Sequence, residues 1–74
     1  MDAEDIKNLV VSALPGSEVT VVDTEGDGDH WSVTVASELF VGKSLLQQHK
    51  MVYSALGDRV GTALHSVQVN TRQA

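Results

Sequence analysis

Residues 30–57 read HWSVTVASELFVGKSLLQQHKMVYSALG, and the hydrophobic period of this stretch changes from two to about 3.6 near its middle. In its first part, the apolar side chains of Trp31, Val33 and Val35 alternate with smaller or polar ones. Such alternation is typical of a strand with one buried face. It predicts a strand over 30–37.

A helix is predicted to follow this strand. It begins at Ser44, because Gln47 three residues later completes a capping-box pattern, and it ends at Gly57. Its buried face is expected to combine apolar residues at helical spacing with a packed histidine between them: Leu45, His49, Val52 and Leu56.

Two further elements are predicted upstream. Residues 3–14 have the pattern of an amphipathic helix, which Pro15 and Gly16 end. The β-branched residues in 18–23 predict a strand, and the turn-rich segment 24–29 joins it to the next strand as a β-hairpin. The apolar residues of the helix recur on one face: Ile6, Leu9, Val10, Ala13 and Leu14.

A short helical turn over 60–64 and a third strand over 65–71 complete the predicted order αββααβ. This order indicates an α+β fold with a three-stranded mixed sheet covered by helices on one face. We expect residues 1–74 to form a single domain. The core is predicted to join apolar side chains of the strands and helices: Trp31, Val33, Val35, Val67 and Val69 with Leu9, Val10, Leu45, Val52 and Leu56.

The formal net charge is −5, and it divides unevenly along the chain. Residues 1–38 hold nine acidic residues and one lysine, whereas residues 39–74 hold four Lys or Arg and one Asp. Because nucleic-acid binders usually carry a dense basic face, this composition favours a mixed, solvated surface. The chain has no Cys, which excludes disulfides and thiolate ligands and predicts a reducing, cytoplasmic location. No apolar run approaches the ~20 residues of a membrane-spanning helix, so no membrane partner is expected.

Short motif fragments resemble known sites without completing them. Residues 42–44 (GKS) lie between a strand and a helix, but a Walker A loop requires Gly where the chain has Ser37. The acidic residues in 23–29 follow a calcium-loop pattern in part, and Thr34 stands where the bidentate acid belongs. The sequence contains no Gly-x-Ser-x-Gly elbow. We therefore predict that the protein is not an enzyme.

Three histidines remain as candidate ligands: His30, His49 and His65. His49 is expected to be packed, whereas His30 and His65 fall at the starts of predicted strands, where an imidazole can be partly exposed. Neutral imidazole is a common metal ligand. Because two such ligands would leave a metal half-coordinated, a partner would have to complete the shell. Spacing alone favours structural roles for these two histidines and leaves the ligand role open.

Four stretches of the chain have an order and spacing that are highly specific in combination. They are 26–31 (GDGDHW), 35–44 (VASELFVGKS), 47–56 (QQHKMVYSAL) and 64–67 (LHSV). In these stretches the chain resembles the BolA family, and within it the short bacterial members of the IbaG type. The resemblance covers nearly the whole chain. It implies the αββααβ class II KH-like fold, in agreement with the hydrophobic periods.

The resemblance also implies a partnership with a monothiol glutaredoxin in iron–sulfur or iron homeostasis. In that heterodimer a 2Fe–2S cluster is held by the glutaredoxin Cys, by glutathione and by BolA side chains, and the isolated chain carries no cofactor. The C-terminal His of the family falls on His65, which is therefore expected to ligate iron. The second ligand of many members is a His or Cys inside the hairpin loop. Here the loop has no Cys, and His30 at the strand start is the candidate.

An alternative role implied by the resemblance is that of a DNA-binding transcriptional regulator. Helix 44–56 and the segment after it would then act as a helix-turn-helix, with Lys43, Lys50 and Arg59 on phosphates. With a net charge of −5, DNA binding would need a dimer or partner that concentrates the basic half. Without its partners, the chain is expected to be a monomer or a weak homodimer.

Overall fold

The computed structural model describes residues 1–60 and 66–74. Helix α1 (Ala3–Ala13) is followed by strands β1 (Glu18–Asp23) and β2 (His30–Ser37) and by a 3-10 turn (Glu38–Phe40). Helix α2 (Leu45–Leu56), a second 3-10 turn (Gly57–Arg59) and strand β3 (Ser66–Gln73) follow. Within these described residues, no helix has the length and apolar content that crossing a membrane requires.

The strands form one mixed sheet in the order β1-β2-β3. β1 and β2 pair antiparallel as a hairpin, with Val19 opposite Val35. β2 and β3 pair in parallel, which places Ser66 beside His30 and Val69 beside Val33. This arrangement confirms the predicted α+β fold with a three-stranded mixed sheet.

Both helices begin with reciprocal caps. The Ser44 hydroxyl accepts a hydrogen bond from the Gln47 N–H at 3.1 Å, and the Gln47 side chain accepts one from the Ser44 N–H at 2.8 Å. Asp2 and Asp5 do the same for α1, at 3.0 Å in each direction. These bonds satisfy amide donors that have no partner inside a helix, and they confirm the predicted start of α2.

The core lies between the two helices and the inner face of the sheet. The prediction for Leu45 is wrong, because this side chain is 62% exposed. The buried positions of α2 are Gln48, Val52 and Leu56, and steps of four residues from them lead back to Ser44 rather than to Leu45. The core side chains are Ile6, Val10, Leu14, Val19, Trp31, Val33, Val35, Phe40, Val52, Leu56 and Val69.

Three side chains that were expected in the core lie at its edge. Leu9 and Val67 are half-buried and pack against the core cluster. His49 is also half-buried. Leu9 and His49 lie one position beside buried residues of their helices, Val10 and Gln48. Val67 shares the inner face of β3 with the buried Val69 but is nearer the end of the strand.

Gln48 is a buried polar residue that the hydrophobic pattern does not anticipate, with 7% of its surface exposed. Its Nε2 donates to the Lys43 carbonyl at 3.0 Å, and its Oε1 accepts a hydrogen bond from the Thr71 hydroxyl at 2.7 Å. Gln48 thereby ties α2 both to the connection that precedes it and to β3.

The segment between α2 and β3 differs from the prediction where it is described. The second 3-10 turn directly follows α2, and Val60 has an extended backbone with φ −70° and ψ 125°. The rest of the helical turn predicted over 60–64 lies outside the described residues, as does His65. β3 continues to Gln73, beyond the end of the predicted strand.

Candidate functional site

The first residues of β2 and β3 are neighbours at one end of the sheet. His30 begins β2 and lies opposite Ser66 in the parallel register. The Ser66 N–H donates to the Asp29 carbonyl at 3.1 Å, which joins the two strand starts. His65, the predicted iron ligand, lies outside the described residues and is joined to Ser66 by a peptide bond. His65 is therefore the sequence neighbour of Ser66, and Ser66 is the strand partner of the other predicted ligand, His30.

The hairpin tip, residues 24–29, is held by hydrogen bonds between carboxylates and the backbone. Asp23 Oδ1 accepts the Gly26 N–H at 2.9 Å, and its Oδ2 accepts the Gly28 N–H at 2.8 Å. Gly26 and Gly28 have φ angles of +70° and +75°, where a side chain would be strained. Trp31 Nε1 donates to the Gly28 carbonyl at 3.0 Å, which connects the tip to the core.

His30 and Asp27 form a side-chain pair on this tip. His30 Nδ1 lies 2.8 Å from Asp27 Oδ2. The hydrogen bond to Asp27, and then the negative charge of that carboxylate, raise the pKa of His30 above its usual range. The pKa of Asp27 is lowered, first by the Asp29 N–H and then by the His30 side chain. The two groups therefore favour the ion pair.

The ring of His30 remains accessible to an external ligand. Its side chain is 48% exposed, and that of Asp27 is 42% exposed. Because Nδ1 faces Asp27, the other ring nitrogen, Nε2, is the one that can bind a group from outside when the ring is neutral. Within residues 1–60 and 66–74, no three His, Cys, Asp or Glu side chains are grouped so that they could hold a metal ion.

The cations predicted to contact DNA are distributed over the surface. Lys50 borders a groove between α1 and α2, whereas Arg59 borders a separate depression beside α1. Lys43 precedes α2, whose 12 residues separate it from Arg59 by about 18 Å of helical rise. The structure does not bring these three side chains together in one pocket.

From the sequence, Asp23 and Asp27 are considered only as parts of an incomplete calcium-loop pattern and have no assigned role beside His30. Their roles follow from local geometry, since Asp side chains in turns commonly accept hydrogen bonds from backbone N–H groups a few residues ahead. The sequence signal for the Asp27–His30 pair is the spacing of these two residues across a Gly-rich turn. The partial calcium-loop pattern drew on these same acids, which here bind the backbone of their own loop.

Comparison with known proteins agrees with this fold. A family model described as BolA-like protein matches residues 10–74. The uncharacterized protein RP812 of Rickettsia prowazekii is 32% identical over 71 residues, which is 96% of this chain and 92% of that protein. The NMR structure of RP812 superposes with a TM-score of 0.77 at 31% identity, covering 100% of this chain and 96% of that chain.

Two relatives from Escherichia coli K12 carry functional names. The acid stress protein IbaG is 31% identical over 70 residues, covering 93% of this chain and 80% of IbaG. The DNA-binding transcriptional regulator BolA is 33% identical over 46 residues, which is 62% of this chain and 44% of that regulator. The match to the family model over most of the chain, together with the shared fold, shows that this protein belongs to the BolA family.

Proposed function

We propose that this protein is the partner of a monothiol glutaredoxin and that the two chains share a 2Fe–2S cluster in iron–sulfur or iron homeostasis. The observation that carries the proposal is the parallel register, which sets His30 opposite Ser66, the residue bonded to His65. Paired strands run ~4.8 Å apart, so His30 and Ser66 begin neighbouring strands at a short spacing that suits a compact cluster. Membership of the BolA family supports the same role.

The donors that this chain offers to such a cluster are imidazoles. The chain has no Cys, and imidazole is the remaining side-chain donor that suits the iron of a 2Fe–2S cluster. His65 is the principal ligand of the proposal. His30, which is half exposed and has one nitrogen turned toward Asp27, is the second.

A partner is part of the proposal because a 2Fe–2S cluster is held by more ligands than two imidazoles supply. In the heterodimer, the glutaredoxin Cys and glutathione provide the others. The cluster is then cargo that this chain helps to bind or deliver. The isolated chain holds no cofactor in this proposal and performs no chemical step.

Anaerobic mixing with a monothiol glutaredoxin, glutathione, iron and sulfide tests the proposal. The wild-type protein is expected to give a heterodimer with its own visible circular dichroism, and a native mass that includes the cluster. His65→Ala is expected to abolish or shift this spectrum while the fold and the affinity for the apo partner persist. His30→Ala is expected to have a smaller effect.

His49→Ala is the matched control, because it removes an imidazole that is half-buried on α2 and has no assigned ligand role. It is expected to keep the wild-type spectrum and to act through stability. A His65→Ala complex with the spectrum and cluster lifetime of the wild type contradicts the ligand assignment.

A second candidate function is DNA binding, which the similarity to the E. coli regulator favours. Lys43, Lys50 and Arg59 would contact phosphates in that role. Lys50 and Arg59 border separate depressions of the surface, and the net charge of −5 opposes approach to a polyanion. We therefore rank DNA binding below the glutaredoxin partnership.

A further inference from the structure

Asp27 binds the backbone and the His30 ring at the same time. Its Oδ1 accepts hydrogen bonds from the N–H groups of Asp29 at 2.9 Å and of His30 at 3.2 Å. Its Oδ2 lies 2.8 Å from His30 Nδ1. One carboxylate oxygen is thus anchored in the loop, and this anchoring aims the other oxygen at the ring.

This contact determines which nitrogen of neutral His30 carries the proton. An ionised carboxylate only accepts hydrogen bonds, so the proton between Oδ2 and Nδ1 belongs to Nδ1. The lone pair of the neutral ring is then on Nε2. The nitrogen with the lone pair is the one that binds a metal, and metal-binding histidines commonly donate their other N–H to a carboxylate.

The remaining hydrogen bonds of the tip keep this pair in place. Asp23 accepts the N–H groups of Gly26 and Gly28, and the buried Trp31 indole donates to the Gly28 carbonyl. The His30 carbonyl accepts hydrogen bonds from Thr24, at 2.9 Å from its N–H and 3.2 Å from its hydroxyl. The ring is therefore carried by a loop that is already ordered in the free chain.

We propose that Asp27 is a positioning residue that fixes His30 in the Nδ1–H tautomer and thereby presents Nε2 to iron. This inference rests on the proposed function only for the identity of the metal group that Nε2 binds. The tautomer itself is a property of the free protein. The arrangement explains how a histidine at the strand start serves in place of a ligand inside the loop.

Two-bond 1H–15N correlation spectra of the free, 15N-labelled protein test this tautomer at a pH well above the measured midpoint of the His30 titration, where the ring is neutral. Wild-type His30, identified by the signals lost in His30→Ala, is expected to show a protonated Nδ1 and an unprotonated Nε2. In Asp27→Asn, the amide oxygen can keep the backbone hydrogen bonds while the amide NH2 faces Nδ1. The ring proton is therefore expected to move to Nε2.

Glu25→Gln is the matched control, because it removes the same charge from the same tip and keeps the Asp27 contact. It is expected to keep the wild-type tautomer. A neutral wild-type His30 ring with its single proton on Nε2 overturns the proposal, and this measurement does not depend on the folding of any variant. An Asp27→Asn spectrum with the wild-type tautomer overturns it as well.

The lifetime of the cluster shared with glutaredoxin supplies the second readout. Asp27→Asn is expected to shorten this lifetime about 10-fold, which is the low end of the loss in metal affinity when a metal-binding histidine loses its carboxylate partner. Glu25→Gln is expected to leave the lifetime unchanged. An altered tautomer with an unchanged lifetime contradicts the positioning role. A wild-type protein that forms no shared cluster contradicts the proposed function instead, and the tautomer result then stands by itself.

Discussion

The two ends of β2 are held by different interactions. At the amino end, the hairpin tip depends on carboxylates that accept backbone N–H groups, and its side chains are largely exposed. At the carboxyl end, the connection from β2 to α2 contains the buried ring of Phe40, which is 0% exposed. The first turns of α2 add the buried side chain of Gln48, which is 7% exposed. We therefore expect that exposed side chains of the tip, such as those of Asp27 and His30, can be replaced without loss of the core, whereas that of Phe40 cannot.

The largest effect is expected from Phe40→Ala at the carboxyl end. Removing a fully buried aromatic ring leaves a cavity, and the free energy of unfolding is expected to fall by about 3–5 kcal/mol. Leu39→Ala is the control, because its side chain is 46% exposed and its loss should change stability by no more than about 0.5 kcal/mol. Urea denaturation measures both, and equal losses would contradict the packing described for this end.

A smaller loss is expected for Gln48→Ala. The Lys43 carbonyl and the Thr71 hydroxyl would lose their partner, which should cost about 1–3 kcal/mol in unfolding free energy. Thr71→Val removes only one of the two hydrogen bonds and is expected to cost less. If thermal unfolding of Gln48→Ala matches the wild type, this buried amide does not hold the carboxyl end.

If the protein binds DNA, its functional surface is the α2 side of the molecule rather than the hairpin tip. The DNA candidate predicts an affinity that falls steeply with salt, with a slope that Lys50→Ala reduces by about one unit. Lys7→Ala, an exposed lysine on α1, is the control and should leave the slope unchanged. Undetectable or salt-independent binding at ~0.1 M ionic strength removes this candidate.

The smallest effect concerns the pH dependence of the tip. Because the Asp27 hydrogen bond and charge raise the pKa of His30 in the folded chain, this contribution to stability is complete below about pH 6.5. It is lost as the pH rises through the folded-state pKa of His30. An NMR titration is expected to give a higher His30 pKa in the wild type than in Asp27→Asn. Equal values would show that the pair does not form in solution.

Much of the fold follows from the hydrophobic period because periodicity is local. The alternation over 30–37 and the capping box at Ser44 predict β2 and α2 with nearly the observed bounds. The burial of Gln48 does not follow in this way, because it depends on Thr71, which is distant in sequence. The exposure of Leu45 depends likewise on which face of α2 meets the sheet.

The candidate site was predictable only in part. Histidines at strand starts can be read from the sequence, but alternation does not say which strands are neighbours. The pairing of His30 with Ser66 is therefore a result of the structure. The contact of His30 with Asp27 is local, yet it needs the φ angles of the glycine turn to bring the two side chains together.

The most direct test of the central claim is electron–nuclear double resonance on the reduced cluster in the mixed complex. Only this protein is labelled, with 15N-histidine, and the glutaredoxin and glutathione carry natural nitrogen. We predict a strongly coupled 15N signal that His49→Ala preserves and that His65→Ala weakens or removes. A cluster without 15N coupling, or with the same coupling in His65→Ala, would show that His65 does not bind the iron.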